Sequence, residues 1–129
     1  MNIDFKKSDG LVPAIIQDYA TGDVLMLGFM DEASLQLTRE TNEVTFFSRS
    51  RNKLWKKGES SGHVLRVREM LMDCDADAIL VKVDAVGPGV CHEGYRSCFF
   101  RTLRPDGTLN INAERTFDPT RVYNSGARR

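Results

Sequence analysis

The sequence predicts an α+β fold, a β-rich single domain built of hairpins with one main helix. Three observations predict it. Most of the chain is divided into short runs rich in β-branched and aromatic residues and bounded by turn-forming residues, and one stretch alone has helical spacing with signals at both ends. Nowhere in the 129 residues does an internal repeat or a linker rich in Pro, Gly or Ser divide the chain. With 41% hydrophobic residues there is enough apolar material for one core, and a domain of this size buries roughly two thirds of its unfolded surface. A single domain over residues 1–129 is expected.

The elements follow in order. "LVPAIIQDYATGDVLMLGFM" reads as two strands around the turn ATGD, where Gly22 can take the positive φ that such a turn often requires. "MDEASLQLTRETN" reads as the helix: Asp31 as N-cap, acid in the first turn, apolar Met30, Ala33 and Leu37 at helical spacing, and Asn42 as the stop. The runs EVTFFS, HVLRVREMLM, AILVKVDAV and SCFFRTL read as further strands, and the Asp-Gly of RPDGTL as a hairpin turn. The closing ERTFDPTRVYNSGARR has little periodicity and is expected to be loosely held.

Lysine plus arginine and aspartate plus glutamate are balanced at 18 each, so no global field marks nucleic acid or a membrane surface as the main partner. A charged ligand must be met locally. The amino terminus has no apolar signal region, and no apolar stretch approaches the roughly 20 residues that span a bilayer, so a cytoplasmic location is expected. Three cysteines, an odd number without an export signal, argue against a disulfide framework and for thiolate chemistry or metal binding.

Three segments concentrate chemistry. DCDAD, Asp73 to Asp77, sets three carboxylates and a cysteine between two apolar runs. Either the acids face water on a turn or a cation offsets their repulsion. Carboxylates suit Mg²⁺ or Ca²⁺ whereas thiolates suit zinc, and adjacent side chains on a tight turn diverge, which assigns Asp73, Asp75 and Asp77 to one ion and Cys74 to another. An EF-hand is excluded, because Ala78 stands where that loop needs glycine and no glutamate closes it. GPGVCHEGYRSCFF places Cys91 and Cys98 seven positions apart across a glycine-containing loop, so that both sulfurs can converge on one ion at about 2.3 Å. Three thiolates would leave a tetrahedral zinc one open position for water, the mark of a catalytic site; the alternative is that the cysteines are inert small residues. SRSRNKLWKKGESSGH, residues 48–63, surrounds Trp55 with Arg49, Arg51, Lys53, Lys56 and Lys57. It suits a phosphate held by charge with a purine stacked on the indole, single-stranded RNA, or a solvated basic hairpin.

In their order and spacing DGLVPAIIQD, SRSRNKLWKKGESSG, DCDAD and CHEGYRSCFF resemble the phosphoribosyl-AMP cyclohydrolases, histidine-biosynthesis enzymes that open the adenine ring of phosphoribosyl-AMP, over most of the chain. The resemblance implies that Cys74, Cys91 and Cys98 bind Zn²⁺ and that Asp73, Asp75 and Asp77 bind Mg²⁺. It implies a homodimer in which the cysteine of DCDAD completes the partner's zinc site, and nucleotide contacts from Arg49, Ser50, Lys53, Trp55, Lys57 and Glu59. Many members carry DCDGD where this chain has Ala76, a departure that bears on the turn conformation and not on the ligands.

The implied chemistry can be argued from its parts. Ribosylation at N1 makes C6 of the adenine ring electrophilic, so hydroxide adding there, followed by cleavage of the N1–C6 bond, opens the ring. Zinc lowers the pKa of bound water from about 15.7 toward 7. Three thiolates donate more charge than three histidines and shrink that shift, so an added base is expected. His92, beside Cys91, is the first candidate and His63 the second. Two other classes remain at this point. One is a zinc-dependent purine base deaminase, whose H-x-E and P-C-x-x-C pattern is absent; the other is a non-catalytic zinc-stabilised module binding RNA through the basic segment.

Overall fold

The computed structural model of the chain describes residues 2–123. After a short 3₁₀ turn at Lys6–Ser8, its elements are β1 (Val12–Asp18), β2 (Val24–Met30), α1 (Glu32–Thr41), β3 (Thr45–Ser48), β4 (Lys53–Lys56), β5 (Leu65–Met72), β6 (Ile79–Ala85), β7 (Arg101–Leu103), β8 (Leu109–Ile111) and α2 (Pro119–Tyr123). The predicted class holds: a small sheet-rich domain with one main helix.

Four strands form the principal sheet in the order β2-β1-β6-β5, with β1 parallel to β6 and the other pairs antiparallel. β1 buries Val12, Ala14 and Ile16, and β6 buries Ile79, Val81 and Val83, every second residue in each strand. That period of two is what one covered face requires. The parallel register sets Ala14 beside Ile79 and Ile16 beside Val81, and Leu25, Met30, Val44, Phe46 and Leu65 close over them to complete the core.

β3 and β4 form a separate antiparallel hairpin that carries the basic segment, its turn helped by Asn52 at φ 54°. Phe46 of β3 anchors it. A Cβ on Gly28 of β2 would lie 2.5 Å from the Phe46 ring, so only glycine admits this approach. At its open end the Val44 N–H donates to the Leu65 carbonyl at 2.9 Å, and the Lys57 N–H to the Val44 carbonyl at 3.1 Å.

α1 starts and stops where the sequence predicts. The Asp31 carboxylate accepts the Ser34 N–H at 2.8 Å and the Ser34 hydroxyl accepts the Asp31 N–H at 2.9 Å, a reciprocal cap. Asn42 ends the helix in the left-handed region at φ 62°. The face turned inward differs from the one expected: Ala33 is exposed and Leu37 half-buried, whereas Ser34 and Thr38 are fully buried. The reason is a hydrogen-bonded crossing to β3. The Thr38 hydroxyl donates to the Ser34 carbonyl at 2.8 Å and accepts the Thr45 N–H at 3.0 Å.

Two further expectations are corrected near the C-terminus. The strand expected over SCFFRTL shrinks to Arg101–Leu103, because Ser97 and Cys98 bond instead to the start of β2, through Val24 and Leu25. The segment expected to be loosely held is anchored as far as Phe117. The Thr116 N–H donates to the Gly94 carbonyl at 2.8 Å, the Arg115 Nε to the Glu93 carbonyl at 2.8 Å, and a short helix follows. The rest of it, residues 124–129, lies outside the described residues. Among the described residues no helix is long and apolar enough to cross a membrane.

Thr38→Val leaves the buried Thr45 N–H without its hydroxyl acceptor, and an unsatisfied buried donor costs about 1–3 kcal/mol. Urea unfolding of the variant is expected to show a loss of that size with an unchanged m-value.

Candidate active site

The acids sit on the turn between β5 and β6. Asp73 Oδ1 accepts the N–H groups of Asp77 at 3.0 Å and Ala78 at 3.2 Å, and the Asp77 bond above all holds the Asp73 carboxyl below the usual carboxylate range. The turn needs a left-handed residue, and Ala76 supplies it at φ 61°, a conformation that costs a non-glycine residue about 1–2 kcal/mol. The departure from DCDGD therefore keeps the glycine-like turn. One oxygen each of Asp73, Asp75 and Asp77 lie within 4.8 Å of one another. Their repulsion is partly offset by the Lys7 ammonium, 3.3 Å from Asp77, whose pKa is raised mainly by that hydrogen bond. Cys74, between two of these acids, is exposed, its thiol 3.8 Å from the Asp75 carboxylate.

The other two cysteines share a loop at the opposite end of β6. The Val90 N–H donates to the Arg96 carbonyl and the Cys91 N–H to the Tyr95 carbonyl, both at 3.0 Å, so the loop closes like a small hairpin with Gly94 at φ 99°. Cys91 is 3% exposed. Its thiol is lowered from 9.0 to about 6, first by a hydrogen bond from Cys98 and further by the Glu93 N–H at 3.4 Å, against the opposing effect of burial. The structure thus brings Cys91 and Cys98 together and leaves Cys74 apart. β6 explains the separation: its seven residues rise roughly 3.3 Å each and hold the acid turn about 20 Å from the thiol loop. Among the described residues the three acids are the one group of three or more ligand-type side chains gathered within reach of a single ion.

The two histidines differ in surroundings. His63 Nδ1 lies 3.1 Å from the Gly89 carbonyl and its ring meets Phe117 edge to face, centroids 5.0 Å apart. A Cβ on Gly87, which has φ 100°, would come within 2.5 Å of the ring. His92 is exposed beside Cys91. Phe117 was not readable as part of this cradle, since it lies in an aperiodic segment more than fifty residues from His63, and only the glycine-rich GPG offered any signal.

The basic hairpin forms a cleft of about 230 Å³ lined by Ser48, Ser50, Arg51, Lys53, Trp55 and Glu59. Four of the six residues expected to meet the nucleotide are there, because Lys53 and Trp55 project from one side of β4. Ser48 and Arg51 join them unassigned. The other two lie elsewhere: the Arg49 guanidinium stacks over the Phe29 ring at 3.9 Å, and Lys57 is 2% exposed, its ammonium 5.5 Å from the Trp55 ring centre.

In metal-free protein the ultraviolet thiolate absorbance is expected to show a step near pH 6 that disappears in Cys91→Ala and moves up in Cys98→Ala. The sign for stability follows. A thiol whose pKa falls from 9.0 to about 6 on folding favours the fold fully above pH 9, and that contribution is lost as pH falls through 6.

Comparison with known proteins finds one family along most of the chain. Residues 26–100 match the family model described as phosphoribosyl-AMP cyclohydrolase. Among curated relatives, the phosphoribosyl-AMP cyclohydrolase of Solibacter usitatus is 60% identical over 95% of this chain and 97% of its own length. Those of Geobacter sulfurreducens and Pelobacter propionicus are 54% and 53% identical, each over 95% of this chain and 98% of theirs.

Proposed function

The chain belongs to the phosphoribosyl-AMP cyclohydrolase family, hydrolases of histidine biosynthesis that open the adenine ring of their nucleotide, and on that premise we propose that it acts as a homodimer with a site shared between subunits. In this reading Cys91 and Cys98 of one subunit and Cys74 of the partner subunit hold zinc, while Asp73, Asp75 and Asp77 hold magnesium. The observation that carries it is the separation along β6: two paired sulfurs lie at one end and the third cysteine, exposed, at the other. The donor sets fit the ions. A sulfur pair with one thiol lowered to about 6 suits a soft, thiolate-binding metal, and clustered carboxylates suit a hard one.

A second copy also has a place to dock. Leu103, Leu109 and Ile111 on one face of the β7–β8 hairpin are 59% exposed or more, and Phe99 beside them is 57% exposed. A two-stranded hairpin has marginal stability alone, and an isologous dimer would cover this apolar face twice.

Zinc, when bound, supplies the Lewis acidity that makes water a nucleophile near neutral pH. The chain's own groups do the rest. Ser48, Ser50, Arg51 and Lys53 orient phosphate oxygens, and Trp55 offers an aromatic edge to the nucleotide. A histidine takes the proton that water loses as its oxygen adds to C6. When the N1–C6 bond breaks, its electron pair goes to N1, which the same imidazolium can protonate. His92 lies closer in sequence to the thiol pair, whereas the ring of His63 is held by Gly89 and Phe117.

Cys74→Ala and Cys91→Ala proteins are each expected to be nearly inactive, and to regain part of the wild-type activity when refolded together with zinc, because one site of the mixed dimer keeps all three thiols. Confirmed mixed dimers without activity would reject the shared site. His92→Ala is expected to lower kcat more than it raises KM, as for a group acting mainly in the transition state. That pattern in His63→Ala and not in His92→Ala would exchange their roles.

A further inference from the structure

The loop that carries Cys91 and Cys98 is fastened to the turn between β1 and β2 by one side chain. The Arg96 guanidinium donates to Asp18 Oδ2 at 2.5 Å and Thr21 Oγ1 at 3.2 Å through one terminal nitrogen, and to Asp23 Oδ2 at 2.7 Å through the other. Bonds within the turn tie Asp18 and Thr21 to each other and Asp18 to the Asp23 backbone. The Asp18 N–H donates to the Asp23 carbonyl at 2.8 Å, the Gly22 N–H to the Asp18 carbonyl at 2.9 Å, and the Thr21 hydroxyl to Asp18 Oδ2 at 2.9 Å. The next two residues continue the seam, with the Ser97 hydroxyl donating to the Val24 carbonyl at 2.8 Å and the Cys98 N–H to the Leu25 carbonyl at 2.7 Å. The other limb is caught as well, since the Arg96 carbonyl accepts the N–H of Val90, the residue before Cys91.

We propose that Arg96 is a positioning residue for the thiol pair, setting the separation and facing of the Cys91 and Cys98 sulfurs by tying both limbs of their loop to the β1–β2 turn. This rests on the reading that the pair holds zinc. Arg96 is 40% exposed and Asp18 16%, so the ion pairs can add to stability as well as to geometry, which is why the thermal midpoint is read beside zinc transfer. Their value lies in orientation, because a planar fork engaging three oxygens of one turn restricts the placement of the loop in a way that a lysine ammonium cannot reproduce.

The test is zinc transfer from the zinc-loaded full-length protein to a chromogenic chelator, with kcat, KM and the thermal midpoint measured on the same samples. Arg96→Met is expected to lose zinc about tenfold faster or more, with kcat reduced and KM within about twofold. Arg96→Lys should fall between it and wild type. Asp18→Asn should also speed zinc loss, and the double variant should be no worse than Arg96→Met alone, as for two partners in one contact. Zinc loss at the wild-type rate in Arg96→Met, or independent effects of Asp18→Asn and Arg96→Met, would overturn the proposal. If Arg96→Met does not fold, Asp18→Asn and Asp23→Asn carry the test, and unchanged zinc loss in both overturns it. A wild-type protein that retains no zinc fails the underlying reading first, visibly, before any variant is compared.

Discussion

The parallel pairing of β1 with β6 governs where everything chemical can lie. β6 runs from the acid turn at its start toward the thiol loop beyond its end, and β1 lies alongside in the same direction. Whatever precedes β1 therefore meets the acids, and whatever follows it meets the thiols. The contacts obey this. The Asp4 N–H donates to the Ala76 carbonyl and Lys7 pairs with Asp77 at the first end; Asp18 pairs with Arg96 at the other. The strand cannot be shortened without emptying the core of Ile79, Val81 and Val83, so the distance between the acid turn and the thiol loop is as fixed as the hydrophobic packing.

Local electrostatics then carry what the balanced composition does not. With 18 charges of each sign the chain has no net field to gather a phosphorylated nucleotide, and the cationic groups that could do so are assembled on the β3–β4 hairpin by strand alternation. That hairpin depends in turn on an absence: the missing side chain of Gly28, into whose place Phe46 fits. The acid turn is the converse case, where backbone N–H groups hold the Asp73 carboxylate charged and one ammonium pairs with Asp77 beside it.

The strands and the helix ends were legible because they rest on local chemistry: runs of β-branched and aromatic residues between turn formers, the Asp31 cap, the Asn42 stop, the Asp-Gly turn. The inner face of α1 was not. Apolar spacing pointed to Ala33 and Leu37, while the burial of Ser34 and Thr38 depends on hydroxyls that find backbone partners only after β3 has docked. Strand order was equally hidden, since periodicity tells which face is covered and not which strand lies alongside. In the site, residue types pointed to soft and hard ligand sets. The placement of the acid turn and the Cys91–Cys98 loop at opposite ends of β6, the cradle of Phe117 around His63 and the burial of Lys57 all come from contacts between distant segments. Ala76 is the intermediate case: its position in the turn was visible, and only the backbone reveals that an alanine accepts the left-handed conformation there.

The same parallel pair sets the order in which the molecule can assemble. Roughly 65 residues of chain lie between Ala14 and its neighbour Ile79, and the entropy of closing that loop must be met before any of its contacts are gained. A ribosome adding about 5–20 residues per second leaves β1 without its central neighbour for several seconds, and with it the apolar face of Val12, Ala14 and Ile16. The β1–β2 hairpin pairs strands that are neighbours in sequence and needs no such closure, but two strands alone are only marginally stable, so the turn that receives Arg96 and the thiol loop that docks on it both depend on β6 arriving to complete the sheet.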